Sequence, residues 1–336
     1  MRTGIYVLWL ISLLGLFSCG NDVDKIPDIS DIKVDVQIRR LEREIFSLNG
    51  KEDIRKYLNN NPVLARDLFL TNRFPPEQIV HQLDAFLNYT YNDTLYQEVQ
   101  MAFPNTKRLE SEIAELYKYI KYYFPDFKEL PVYTVVSGFG NFGFGNDIHI
   151  SPSGIYIGLD YFAGNETSYR PEVPGYILKR YHPEYITPTI AQHLSSSFIK
   201  QGEGQTMLDE MILYGKAHYF TDKVLPTVND SLKWGYSGQE LAGCYHNEGK
   251  IYAHFVDQNL LFESNHFKKR KYIAERPHVN EIDKECPGRI GQWLGMRIVE
   301  SYAQKHSNES LAQVLVEEDA QSFFQRSYYR PEKKKK

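Results

Sequence analysis

The sequence predicts an α+β domain that is mostly helical and carries a small antiparallel sheet. Three observations predict it. Helical periodicity dominates both the early part of the chain and its whole last half. A short central section instead alternates and turns in the manner of strands. The two kinds of element are segregated and do not interleave as βα units, which argues against a doubly wound parallel sheet.

The chain opens MRTGIYVLWLISLLGLFSCGND. Arg2 precedes an apolar stretch from Ile5 to Phe17, and small residues follow, which is the order of a secretory signal. The stretch is shorter than the ~20 apolar residues that span a bilayer core. Leu16-Phe17-Ser18-Cys19 resembles the bacterial lipobox, in which the cysteine is lipidated after cleavage ahead of it. Residues 1–18 are therefore expected to be a lipoprotein signal peptide, and Cys19 the point at which a membrane lipid is attached. Each buried methylene contributes about 0.8 kcal/mol and stable anchoring takes at least two chains, so a three-chain anchor holds a domain firmly.

Residues 19–32 read as a tether, 33–331 as one domain and 332–336 as a basic tail. The formal net charge is -4, and the only charged residue of the signal is Arg2, so the mature body is more acidic still. Nucleic-acid partners leave a basic footprint, and this body has none. Lys333 to Lys336 read as a solvated tail.

Within the body, KVDVQIR places Val34, Val36 and Ile38 on one face of a half-buried strand. RRLEREIFSL passes into a helical period, and residues 51–124 continue it. In RLESEIAELYKYIKYYF, Leu109, Ile113, Leu116 and Ile120 recur at helical spacing with charged residues between, which predicts an amphipathic helix on a core. LPVYTVVSGF then reads as a strand. IHISPSGIYIGLDYF reads as two more around the turn Pro152-Ser153-Gly154. The intervening GFGNFGFGND has the glycines of a phosphate cradle. A cradle needs a helix N-terminus next, and here a strand follows, so a sheet-edge loop is expected. After Gly175 the pattern is helical to the end.

Cys244 and Cys286 remain once Cys19 is set aside. An envelope compartment permits a disulfide between them if their Cα atoms come within reach. The segment PTIAQHLSSSFI puts His193 in a helical run followed by Ser195, Ser196 and Ser197. No GxSxG elbow accompanies these serines, and such a run is expected to bond back to helix carbonyls. Asp209 and Glu210 are adjacent on a helix and do not form a facing acid pair.

KIPDISDIKVDVQIRRLEREIF, IGLDYFAG, LDEMILYGKAHYFTDKVLP, PGRIGQWLGMRIVESY and the terminal SYYRP together resemble the gliding-motility lipoprotein GldB family of the Bacteroidota. The resemblance runs from Lys25 to about Pro331. It implies a lipid-anchored envelope component of the gliding machinery, partnered by other gliding or type IX secretion proteins. The acidic run after the lipidated cysteine is broken (Asn21-Asp22-Val23-Asp24), which favours the periplasmic side of the outer membrane. More distantly the family is similar to gluzincin-type zinc proteases, with HExxH on one helix and a further Glu before Gly on the next. Two histidines four apart bind zinc on one face while the glutamate acts as base.

On that resemblance His193 matches the first ligand, Leu194 stands at the base, Ser197 at the second ligand and Tyr214 at the third, with Gly215 kept. A zinc site needs three protein ligands. The expectation is a degenerate zincin-like domain, a pseudoenzyme with no catalytic residue, metal or cofactor. In it His193 is buried and hydrogen-bonded, with Ser197 its nearest partner. The alternative is a periplasmic metal-dependent hydrolase with ligands rearranged to His193, His218 and Glu210, with His182 nearby.

Overall fold

The computed structural model describes residues 26–331 apart from positions 144, 165 and 166. The expected signal peptide, Cys19, the first part of the tether and the basic tail lie outside the described residues. No helix among the described residues is long and apolar enough to cross a membrane.

Six helices follow the first strand: Leu41–Phe46 (α1), Gly50–Asn60 (α2), Pro62–Asp67 (α3), Pro76–Leu87 (α4), Thr90–Ala102 (α5) and Lys107–Tyr123 (α6). In α6 the anticipated stripe of Leu109, Ile113, Leu116 and Ile120 is buried, and Tyr117 and Tyr119 join it. Burying a large apolar side chain contributes about 1.5–3 kcal/mol, which is how an amphipathic helix is held to a core.

The sheet corrects one expectation, because it is mixed and not antiparallel. Its strands are Ile38–Arg40 (β1), Val132–Val135 (β2), Ile148–Ser151 (β3) and Gly154–Gly158 (β4), in the order β1-β2-β4-β3. β1 and β4 both run parallel to β2, and only the hairpin β3–β4 is antiparallel. The helical crossover α1–α6 separates β1 from β2, and long crossovers permit parallel pairing. Strand β4 folds back beside β3 and pairs with β2 along its other edge. All five of its residues are buried, as a central strand covered on both faces requires. Only Ile38 of the alternating trio enters β1, while Val34 and Val36 pack half-buried on the core in extended chain. The β1–β2 register is locked by Glu42, which accepts hydrogen bonds from Arg40 Nε at 2.6 Å and Thr134 Oγ1 at 2.7 Å.

The glycine-rich segment turns its amides inward. Asp160 accepts from the Ser137 amide at 3.2 Å and the Phe139 amide at 2.7 Å. Gly138 and Gly140 adopt positive φ to make that turn. Burial raises the Asp160 carboxyl.

Beyond the sheet lie Leu159–Phe162 (α7), Gly175–Leu178 (α8), Ile186–Leu194 (α9), Met207–Val224 (α10), Asp230–Trp234 (α11), Gly238–His246 (α12) and Glu248–Asp257 (α13). His266–Ile273 (α14), Ile290–Lys305 (α15), Leu311–Val316 (α16) and Ala320–Ser327 (α17) complete the chain. Helix α10 begins at a capping box between Thr206 and Asp209 and packs along α15 at the centre of this half. The crossing is close because both helices present glycine. A Cβ on Gly295 would collide with the Met211 carbonyl, and one on Gly215 with the Gly295 backbone.

Candidate functional site: a polar cleft beside α9

Side chains of α9, α10, α11 and the start of α15 enclose a cleft of about 340 Å³. His193 and Gln192 come from α9, Tyr214 and His218 from α10, Lys233 and Trp234 from α11, and Arg289 and Gln292 from the start of α15. Arg180, Tyr181 and Tyr185 close one side with Glu275.

Of the residues picked out in sequence, the cleft gathers His193, Tyr214 and His218. His193 is exposed, and its ring makes no hydrogen bond among the described residues, contrary to the expected buried, partnered histidine. Helix α9 ends at Leu194 and tightens into a 3₁₀ turn over Ser195–Ser197. The four-residue spacing from His193 to Ser197 therefore spans a change of helix type, with three residues per turn on one side of it. Ser197 is exposed and Leu194, 2% exposed, packs into the core. Ser195 Oγ donates to the Gln192 carbonyl at 2.6 Å and Ser196 Oγ to the His193 carbonyl at 2.9 Å, so these hydroxyls satisfy the open helix end. Gly215 serves the α10–α15 crossing, where a Cβ would meet the Gly295 backbone.

The rearranged ligand set does not assemble. Glu210 is paired with Lys269 at 2.7 Å and lines a different cavity, while His182 lies against Gly164. His193 and His218 do share the cleft. Among the described residues no group of three or more His, Cys, Asp or Glu is placed to hold a metal ion.

His218 is 4% exposed and stacks on Trp234, ring centroids 3.7 Å apart. Its Nε2 lies 3.0 Å from Gln292 Oε1, and Gln292 Nε2 donates to the Ile273 carbonyl at 2.8 Å. A carbonyl only accepts, so the amide nitrogen must face Ile273 and Oε1 must face the imidazole. His218 therefore carries its proton on Nε2 and presents Nδ1 as an acceptor. Burial first, and Arg289 second, pull this imidazole down to about 3, so it is neutral at physiological pH.

Sequence reading missed the charged rim. Arg180 Nη1 and Arg289 Nε both approach Glu275 Oε1, at 2.9 and 3.2 Å. Arg289 Nη2 also donates to the Trp234 carbonyl at 2.5 Å, and the guanidinium lies over Tyr236. The backbone of Arg289 is left-handed, φ 61°, an unfavourable conformation for a side-chain-bearing residue. Gly235, φ 63°, leaves room for the Arg180 stem. Nothing in the order of residues announces this convergence, although PGRIGQW contains Arg289.

Cys244 and Cys286 line one wall of a separate cavity of about 330 Å³. Both are free, buried thiols. Burial pushes both up, Cys286 to about 12, so neither is a reactive thiolate.

Fold and cleft thus define a mostly helical α+β protein whose cleft is polar and aromatic. The family described as gliding motility protein GldB matches residues 22–331. The chain belongs to this family and is a component of gliding motility, in a family of cell-envelope lipoproteins. No curated protein and no solved structure matches it significantly.

Proposed function

We propose that this protein is a lipid-anchored, non-catalytic binding or scaffolding component of the gliding machinery, a pseudoenzyme with a degenerate zincin-like site. Residues 1–18 direct export, Cys19 carries the lipid, residues 19–32 tether one domain, and that domain faces the periplasm from the outer membrane. Its partners are other gliding or type IX secretion envelope proteins.

The observation that carries the non-catalytic reading is what surrounds the position beside His193. A general base must reach the proton that it abstracts. Leu194 has no basic atom and is packed into the core. With Ser197 beyond the end of α9 and Tyr214 on the opposing helix, His193 has no second histidine or carboxylate in the places that a zinc protease uses.

Deleting the gene is expected to abolish cell gliding and colony spreading, and plasmid-borne wild type to restore both. His193→Ala is expected to restore them as well, because the ring is exposed and unbonded among the described residues. Its cost in stability is expected below about 0.5 kcal/mol, as for surface substitutions. A deletion strain that glides normally, or a folded His193→Ala protein that does not restore gliding, contradicts this reading.

A further inference from the structure

We propose that the α9–α11 cleft binds a peptide through its carboxylate, with Arg180 as the principal docking group; this rests on the non-catalytic reading of the same cleft. Two guanidiniums converge on a single carboxylate oxygen of Glu275. One carboxylate is thus shared by two guanidiniums at the rim, and what remains open to an anion is guanidinium N–H and not net charge. The other charged groups of the lining are already engaged. Lys233 is paired with Asp222 and with Asp230, and Asp147 bonds to the Tyr181 hydroxyl and accepts from the Ile148 amide.

The two arginines are not equivalent. Arg289 is anchored by Glu275, the Trp234 carbonyl and the Tyr236 ring, so its role is to hold the rim. Arg180 spends only Nη1, on Glu275, and its Nε and Nη2 donors make no hydrogen bond among the described residues. Those two nitrogens form one edge of a planar fork, the geometry that matches both oxygens of a carboxylate. A lysine has no such edge.

The rest of the cleft suits a peptide. Tyr181 and Tyr185 stand near enough for the charge of Arg180 to act on their hydroxyls, and Tyr214 is 38% exposed on the opposite wall. These rings offer apolar surface to side chains beside the carboxylate. A volume of about 340 Å³ is at the lower end of small-ligand sites and admits a few residues, not a folded partner. The carboxylate has two sources, a chain terminus or an Asp or Glu side chain.

The test uses the full chain in detergent and three fluorescent peptides of one aromatic sequence. One ends in a free carboxylate, one in an amide, and one in an amide with a single internal Asp. Anisotropy titrations are expected to show saturable binding of the first or third peptide, at least about tenfold tighter than of the plain amide, as charged hydrogen bonds provide. The first alone binding identifies a terminus, and the third binding identifies a side chain. Arg180→Gln is expected to remove the preference, and Arg180→Lys to weaken it. Lys305→Gln, an equal loss of charge on an exposed helix end, is expected to leave it unchanged. Thermal melts establish which variants fold, and Arg180→Lys decides should Arg180→Gln not fold. No saturable binding, equal binding of acid and amide, or wild-type preference in the folded Arg180 variants overturns the proposal. Mass spectra of the recovered peptides report on the non-catalytic reading separately, because cleavage sinks that reading whether or not the carboxylate is recognised.

Discussion

His218 is held between Trp234 and Gln292, and its burial has a consequence for stability. In the unfolded chain a histidine takes up its proton near ~6.5. In the folded protein the imidazole stays neutral until about 3. Between those values the unfolded state binds more protons, so the full contribution is present above ~6.5 and is lost as pH falls toward 3. The slope for one proton is about 1.4 kcal/mol per pH unit. Urea unfolding of wild type should therefore lose about 2 kcal/mol more between pH 6.5 and 5 than unfolding of His218→Asn. Equal losses in the two proteins would contradict the buried neutral imidazole. At this scale the sequence was informative about identities and poor about surroundings. That Leu194 offers no basic atom and Ser197 only a hydroxyl is legible from the side chains alone. That His193 is exposed could not be read, because it depends on which elements pack around α9 and on the cleft that the fold opens beside it. Arg180 and Glu275, 95 residues apart, meet only through the fold.

At the scale of elements, the crossing of α10 and α15 sets the position of the cleft, since one wall carries Tyr214 and His218 and the other Gln292. Gly295→Ala drives a methyl into the Met211 carbonyl on a buried backbone that cannot move aside cheaply. Overpacking of this kind typically costs about 1–3 kcal/mol. A lower thermal midpoint and a smaller urea midpoint are expected, and a variant as stable as wild type would contradict the crossing geometry. The helices themselves were legible, α6 especially, because its apolar period matches its buried face. The strands were legible as strands, but their direction was not. Parallel and antiparallel pairing differ in connection and not in local pattern, and β4 is buried on both faces, so it shows no alternation to orient it.

For the whole molecule, the proposed anchor at Cys19 lies outside the described residues, and the body that carries the cleft is described from Ile26. Ile26 lies seven residues past Cys19, at most about 25 Å of extended chain. Ile26 and Pro27 border a cavity with Arg297, Glu300 and Lys233, and Lys233 also lines the cleft. Lipidation of Cys19 would hold Ile26 within about 25 Å of the membrane surface. Cys19→Ala should release the protein from the membrane fraction or block its processing. Unchanged membrane attachment with unchanged mature size would remove the anchor from the account.

That the cleft holds no catalytic zinc is tested by the zinc content of the purified full-length protein, measured by mass spectrometry beside His193→Ala. Far less than one zinc per chain, the same in both proteins, is the predicted result. One zinc per wild-type chain that is lost in His193→Ala would contradict it and restore a metal-dependent hydrolase.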